Sequence, residues 1–222
     1  MEWPMAQHLA AIGYVTVAVE YRLSPEALYP AAVHDIKAAI RWVKEHSPEY
    51  NIDPTKIALY GGSAGGQLAA LVGVTAGISR FDGGGGDTTY STSVQAIVDI
   101  DGVLDLADPA ESGKDTGSAP PSAGKSWFGS SFRERPDLWK EASPVQHVNK
   151  RTPPIAFINS SIDRFHAGRD QMIEKLKALN IYSEVHSIPN TPHTFWMFHP
   201  WFEQTFEIVE NFLDRTLKKG SR

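Results

Sequence analysis

Apolar residues along this chain fall into short runs that alternate with longer amphipathic stretches. Trp3 to Ile12 repeats apolar positions at helical spacing and ends at Gly13, and Tyr14-Val15-Thr16-Val17-Ala18-Val19 follows as an expected buried strand. After a turn-rich link, Pro30 opens a second predicted helix. Its apolar positions (Ala31-Ala32-Val33, Ile36, Ala39-Ile40, Trp42-Val43) are spaced for one buried face. Lys56-Ile57-Ala58-Leu59-Tyr60 reads as a strand, Gln67 to Val72 as a helix, and Val94 to Ile100 as another buried strand. Pro153 to Asn159 and Tyr182 to Ile188 complete the strands, with a helix around Met172–Leu179 between them and a last helix from Trp201 to Leu217. Strands alternating with helices predict an α/β domain on a mostly parallel sheet. One stretch breaks the alternation: residues 105–140 are rich in Gly, Ser, Pro and charge, and read as an insertion or lid-like segment within a single domain.

In a parallel α/β sheet the chemistry collects at the carboxyl ends of the strands. The loops that matter are therefore those after Tyr60, Ile100, Asn159 and Ile188. The first contains Gly61-Gly62-Ser63-Ala64-Gly65-Gly66 between a strand and a helix. With 18 glycines in 222 residues a chance Gly-x-Ser-x-Gly is not rare, so the strand before it and the helix after it carry the weight. A serine on so tight a turn adopts a strained backbone, which small neighbours tolerate. Ser63 is the candidate nucleophile, and the Ala64 N–H at the helix start is a candidate oxyanion donor. Phosphate-loop spacings are absent from this turn.

A serine hydroxyl needs a base within hydrogen-bond reach and a carboxylate to orient that base. His193, in Pro189-Asn190-Thr191-Pro192-His193 after the last strand, is the candidate base. Asp163, in the loop after Asn159, is the natural acid, with Asp101 and Asp105 after the preceding strand as outside alternatives. Gly62, Trp127, Phe195 and Trp196 are candidate substrate contacts, although aromatics at such spacing more often build core. Arg22 and Asp35 read as a buried structural pair, His199 as a structural neighbour of the last helix, and His166 as a loop histidine.

Composition narrows the partners. There is no cysteine, hence no disulfide, thiolate metal site or cysteine nucleophile. No zinc-type His/carboxylate spacing occurs, so neither metal nor cofactor is expected. A formal net charge of -5 argues against nucleic acid or anionic membrane as partners, and no run of about 18 apolar residues predicts a membrane span. Met1-Glu2-Trp3-Pro4 has no signal-peptide character.

Val19 to Glu26, Tyr29-Pro30-Ala31-Ala32, Asp35-Ile36, Arg41-Trp42-Val43, the glycine-flanked Ser63, Ala142-Ser143-Pro144-Val145 and Pro153-Pro154 together resemble the α/β-hydrolase esterases. The resemblance is to the branch of hormone-sensitive-lipase-like carboxylesterases and acetyl xylan or feruloyl carbohydrate esterases. It implies an α/β-hydrolase core, a serine ester mechanism, Ser63, Asp163 and His193 as the triad, and a small-molecule or polysaccharide ester as substrate. The Trp201-Phe202 neighbourhood leans toward the carbohydrate-esterase side.

Two departures qualify this expectation. Asn159-Ser160-Ser161-Ile162-Asp163 stands where the family's acid loop usually reads His-Gly-x-x-Asp. The family's His-Gly-Gly-Gly oxyanion loop and the first strands, which precede the first helix, have no counterpart in this sequence. An N-terminally incomplete core would have one oxyanion donor fewer, a loss of about 10²–10³ in kcat, and an unpaired sheet edge that invites homodimerisation. The alternatives are a prolyl-oligopeptidase-like serine peptidase, which shares the elbow and residue order, and a non-catalytic hydrolase fold.

Overall fold

The computed structural model describes residues 3–24, 26–113 and 120–218. In chain order the elements are α1 (Trp3–Ala11), α2 (Ala31–Glu45), β1 (Ala58–Gly62), α3 (Ala64–Val74), α4 (Ser79–Asp82), β2 (Ala96–Ile100), α5 (Pro109–Ser112), α6 (Ala123–Phe128), α7 (Pro136–Glu141), β3 (Ile155–Asn159), α8 (Arg169–Ala178), β4 (Ser183–Ser187) and α9 (Trp201–Leu213), the last continued by a π-helical turn over Asp214–Lys218.

The four strands form one parallel sheet in the order β1-β2-β3-β4. Gly62, Ile100, Ile158 and His186 stand level across it, so the carboxyl ends of all four strands open on the same side. Strands β2 and β3 are buried throughout, Asp99 and Asn159 included, as central strands of a parallel sheet are when helices cover both faces. Their side chains alternate between two cores. Ile97, Ile155 and Phe157 join α2, α3 and α8 on one face, while Val98, Ile100, Ala156 and Ile158 meet α1 and α9 on the other.

The expected buried strand at 14–19 is corrected. These residues belong to no strand of the described sheet, and Val15 and Val17 are 53% and 46% exposed. Strand β1 has β2 as its one neighbour in that sheet, and the 14–19 segment is held by other contacts. Tyr14 Oη donates to Asp214 at 2.6 Å, and Thr16 Oγ1 donates to the Ala6 carbonyl. Ile12 and Tyr14 pack on one core and Val19 and Tyr21 on the other.

Helix α2 buries Ala32, Val33, Ile36 and Ile40 as expected, leaves Ala31, Ala39 and Val43 half-buried, and exposes Trp42, which stacks on His46. Lys37, Arg41 and Lys44 are buried instead. Lys37 Nζ reaches the Thr75 carbonyl and Asp82, Arg41 the carbonyls of Asp82 and Gly85, and Lys44 those of Ser91 and Ser93. The loop after α4, which carries the glycine run Gly83 to Gly86, is thus tied down through its own carbonyl oxygens. Arg22 and Asp35 do pair, at 2.7 Å, but on the surface rather than in the interior.

Within the expected insertion, residues 114–119 lie outside the described residues. The remainder carries α5, α6 and α7, and Phe128 and Trp139 are buried in the α2/α3-side core. Among the described residues no helix is long and apolar enough to cross a membrane.

Candidate active site

The turn from β1 into α3 holds Ser63 at φ 56° and ψ −120°, the strained conformation expected of an elbow. Its N–H donates to the Ile100 carbonyl at 2.8 Å, which ties the elbow to the end of β2. The glycines around it serve unequal purposes. A Cβ on Gly61 would overlap the Gly65 carbonyl group, and one on Gly62 would overlap the Trp196 indole. A Cβ on Gly65 would meet nothing within 4 Å, so this glycine of the motif is not required by packing. Ala64 is the first residue of α3, and its N–H therefore has no intrahelical acceptor.

His193 stands on the turn after β4, its ring across from the elbow. Its Nε2 lies 2.8 Å from Ser63 Oγ and its Nδ1 lies 3.2 Å from Asp101 Oδ2. Asp101 is completely buried at the end of β2, with φ 50°. Its Oδ1 accepts the Ser160 N–H at 2.8 Å, which leaves Oδ2 directed at the imidazole. Hydroxyl, imidazole and carboxylate thus form a continuous chain, in which a proton leaving Ser63 has an acceptor and the resulting cation has a counter-charge.

The carboxylate in this chain is a correction to the expected one. Asp163 has a fully exposed side chain and stands 3.9 Å from His166 Nδ1, at the start of the 3₁₀ turn Asp163–His166. The physical reason lies in the sheet. Because β2 and β3 are parallel neighbours in register, Asp101 emerges at the level of Asn159, four residues before Asp163. A signal was present in Val98-Asp99-Ile100-Asp101-Gly102, where a second acid closes a wholly buried strand. Spacing alone does not choose between two adjacent strand ends. Asp105 closes a local turn by accepting the Ala107 N–H.

The structure also sorts the substrate-contact candidates. Phe195 is fully buried in the α9-side core and is closed to a ligand. Trp196 is buried, packs against Gly62 and meets His193 edge-on with ring centres 5.5 Å apart. Trp127 packs edge-on against Tyr29 and borders the opposite core. His166 Nε2 lies 2.9 Å from the Ser160 carbonyl, and His199 pairs with Glu203 on α9.

Beneath the site is Asp99, fully buried and one register step below Ile100. Its Oδ1 accepts the Gly102 N–H at 3.0 Å. Added Cβ atoms on Gly66 or Gly102 would overlap that oxygen, so the carboxyl is wedged between the start of α3 and the turn after Asp101. Burial raises its pKa well above the carboxylate range, the Gly102 N–H works against the shift, and the Asp101 charge adds to it.

Residues 1–174 of the chain match the BD-FAE family. The chain belongs to that family. Over 198 residues this BD-FAE chain is 33% identical to the "Probable carboxylic ester hydrolase LipM" of Mycobacterium tuberculosis, covering 86% of the present chain and 44% of LipM. It is 32% identical to esterase LipQ of the same organism, covering 72% of this chain and 37% of LipQ. The BD-FAE chain thus spans less than half the length of these two relatives. Among solved structures it resembles a truncated form of a carbohydrate esterase from gut microbiota (TM-score 0.76, 28% identity, 91% of this chain and 74% of that one). It also resembles an acetyl ester-xyloside bifunctional hydrolase from Caldicellulosiruptor lactoaceticus (TM-score 0.78, 26% identity, 96% and 75%). The expected fold holds: the chain carries an α/β-hydrolase core of the esterase type.

Proposed function

We propose that this chain catalyses hydrolysis of short acyl carboxylic esters, carbohydrate-linked acetyl or feruloyl esters in particular, through a covalent serine intermediate. The observation that carries the reading is the continuous chain from Ser63 Oγ through His193 to Asp101. In the first half-reaction Ser63 Oγ attacks the ester carbonyl carbon and its proton passes to His193 Nε2. The Asp101 carboxylate offsets the charge that forms on the imidazole, and the Ala64 N–H faces the oxyanion. Collapse of the tetrahedral species breaks the bond to the alcohol, which leaves with the proton from His193. Water then attacks the acyl-serine and gives a proton to His193; as the bond to Ser63 Oγ breaks, that proton passes to Oγ, and the carboxylic acid leaves with Ser63 and neutral His193 restored. Support for the acyl and sugar preference comes from the structural similarity to a carbohydrate esterase and to an acetyl ester-xyloside hydrolase.

The test is active-site labelling joined to turnover. A fluorophosphonate should modify Ser63, and the chain should hydrolyse p-nitrophenyl acetate and release acetate from acetylated xylan. Ser63→Ala and His193→Ala should each abolish both signals. A folded chain that neither labels nor turns over an acetyl ester would defeat the proposal, and turnover of a proline anilide in preference to the ester would favour the peptidase reading.

A further inference from the structure

The loop expected to supply the acid supplies an aromatic ring instead. Phe165 lies face to face with the His193 imidazole, with ring centres 3.7 Å apart and planes tilted by 6°. His193 is 29% exposed, and its two in-plane hydrogen bonds run to Ser63 and Asp101. In-plane bonds resist sliding of the ring better than they resist rotation about the Cβ–Cγ bond, a broad torsion in histidine. A parallel ring in van der Waals contact blocks that rotation, and the edge of Trp196 closes a second side.

Phe165 is itself held firmly. It is buried in the α2/α3-side core. Asn159 Nδ2 lies 3.4 Å from the Phe165 carbonyl and 3.5 Å from Asp101 Oδ1, so one amide spans the clamp and the carboxylate. Next to it, the Arg164 guanidinium lies 5.0 Å from the Phe165 ring centre and forms an ion pair with the mostly buried Glu111. The aromatic face also carries negative quadrupole density toward an imidazole that becomes cationic when it takes the serine proton.

We propose that Phe165 is a positioning residue for the esterase reaction, stacking on His193 to fix the plane of the imidazole between Ser63 and Asp101. The inference rests on the serine esterase reading given above. It concerns no contact with substrate, so its signature is a loss in kcat with KM preserved, repaired by another aromatic ring.

The experiment compares wild type, Phe165→Leu and Phe165→Tyr on p-nitrophenyl acetate, with circular dichroism as the check on folding. Phe165→Leu should lower kcat by about three- to tenfold with KM within about twofold, and Phe165→Tyr should keep kcat within about twofold of wild type. In the proton spectrum the His193 ring protons should be shifted upfield in wild type and Phe165→Tyr, a displacement lost in Phe165→Leu. A folded Phe165→Leu with wild-type kcat, or His193 ring protons without the upfield shift in wild type, would overturn the proposal while leaving the esterase reading intact. Should Phe165→Leu fail to fold, a folded Phe165→Tyr with kcat reduced as far as tenfold would overturn it as well. Absence of turnover and of Ser63 labelling in wild type would instead remove the reading on which it rests.

Discussion

Gly62 and Trp196 compete for one volume: the indole of Trp196 occupies the space that a side chain at position 62 would need. Because the same indole meets His193 edge-on, the elbow glycine and the base are coupled through one aromatic ring. Gly62→Ala should therefore displace Trp196 and with it His193. The expected result is a loss of about 1–3 kcal/mol of stability and a fall in kcat, read by thermal melting and by p-nitrophenyl acetate hydrolysis.

Gly65 gives the opposite expectation, although the motif treats the two glycines alike. It has open space at its Cβ position, lies in the first turn of α3, and has no positive φ. Gly65→Ala should leave the melting temperature unchanged or raise it, with a gain of up to about 1 kcal/mol from helix propensity. A marked drop in melting temperature would show that the space is filled.

Asp99 sets a pH dependence of stability. Its carboxyl is raised well above the ordinary range in the folded chain, chiefly by burial, whereas an unfolded aspartate titrates near pH 4. The folded state therefore holds a proton that the unfolded state has lost, and the slope of stability with pH is negative for this group. Its contribution is fully present below about pH 4 and is lost progressively as pH rises from there toward the folded pKa. Asp99→Asn keeps the oxygen that accepts the Gly102 N–H and cannot ionise. Its melting temperature relative to wild type should climb between pH 4 and pH 8, and a flat difference would contradict a buried neutral acid.

Lys37 is fully buried on α2, and burial lowers its pKa although Asp82 opposes the shift. Lys37→Ala removes the donor to the Thr75 carbonyl and the partner of the half-exposed Asp82. A destabilisation of about 1–3 kcal/mol is expected in denaturant titration, with kcat on p-nitrophenyl acetate within about twofold of wild type.

These residues also mark how far the chain could be read without its structure. Apolar runs placed β2 and β3 correctly because both are buried on two faces, which writes a mostly apolar run rather than an alternating one, broken only at Asp99 and at the terminal Asn159. The run at 14–19 has the same composition yet joins no strand of the described sheet, because pairing depends on a neighbour that composition does not specify. On α2 the helical period was legible, but Lys37, Arg41 and Lys44 were not visible as interior residues. Their burial depends on carbonyl oxygens from a loop up to 49 positions away. At the site, Ser63 and His193 were legible from local turns. Asp101 was only an outside alternative to Asp163 and Phe165 was not singled out, since choosing between adjacent strand ends and recognising a ring stack are questions of three-dimensional proximity.

The central claim is that Asp101, rather than Asp163, orients His193 for attack by Ser63. The most direct measurement is kcat/KM on p-nitrophenyl acetate for Asp101→Asn beside Asp163→Asn, both shown to be folded. Loss of the carboxylate behind the base should cost Asp101→Asn about 10³–10⁴ in kcat/KM, while Asp163→Asn stays within about threefold of wild type. The reverse pattern, a near-normal Asp101→Asn and a crippled Asp163→Asn, would contradict the account.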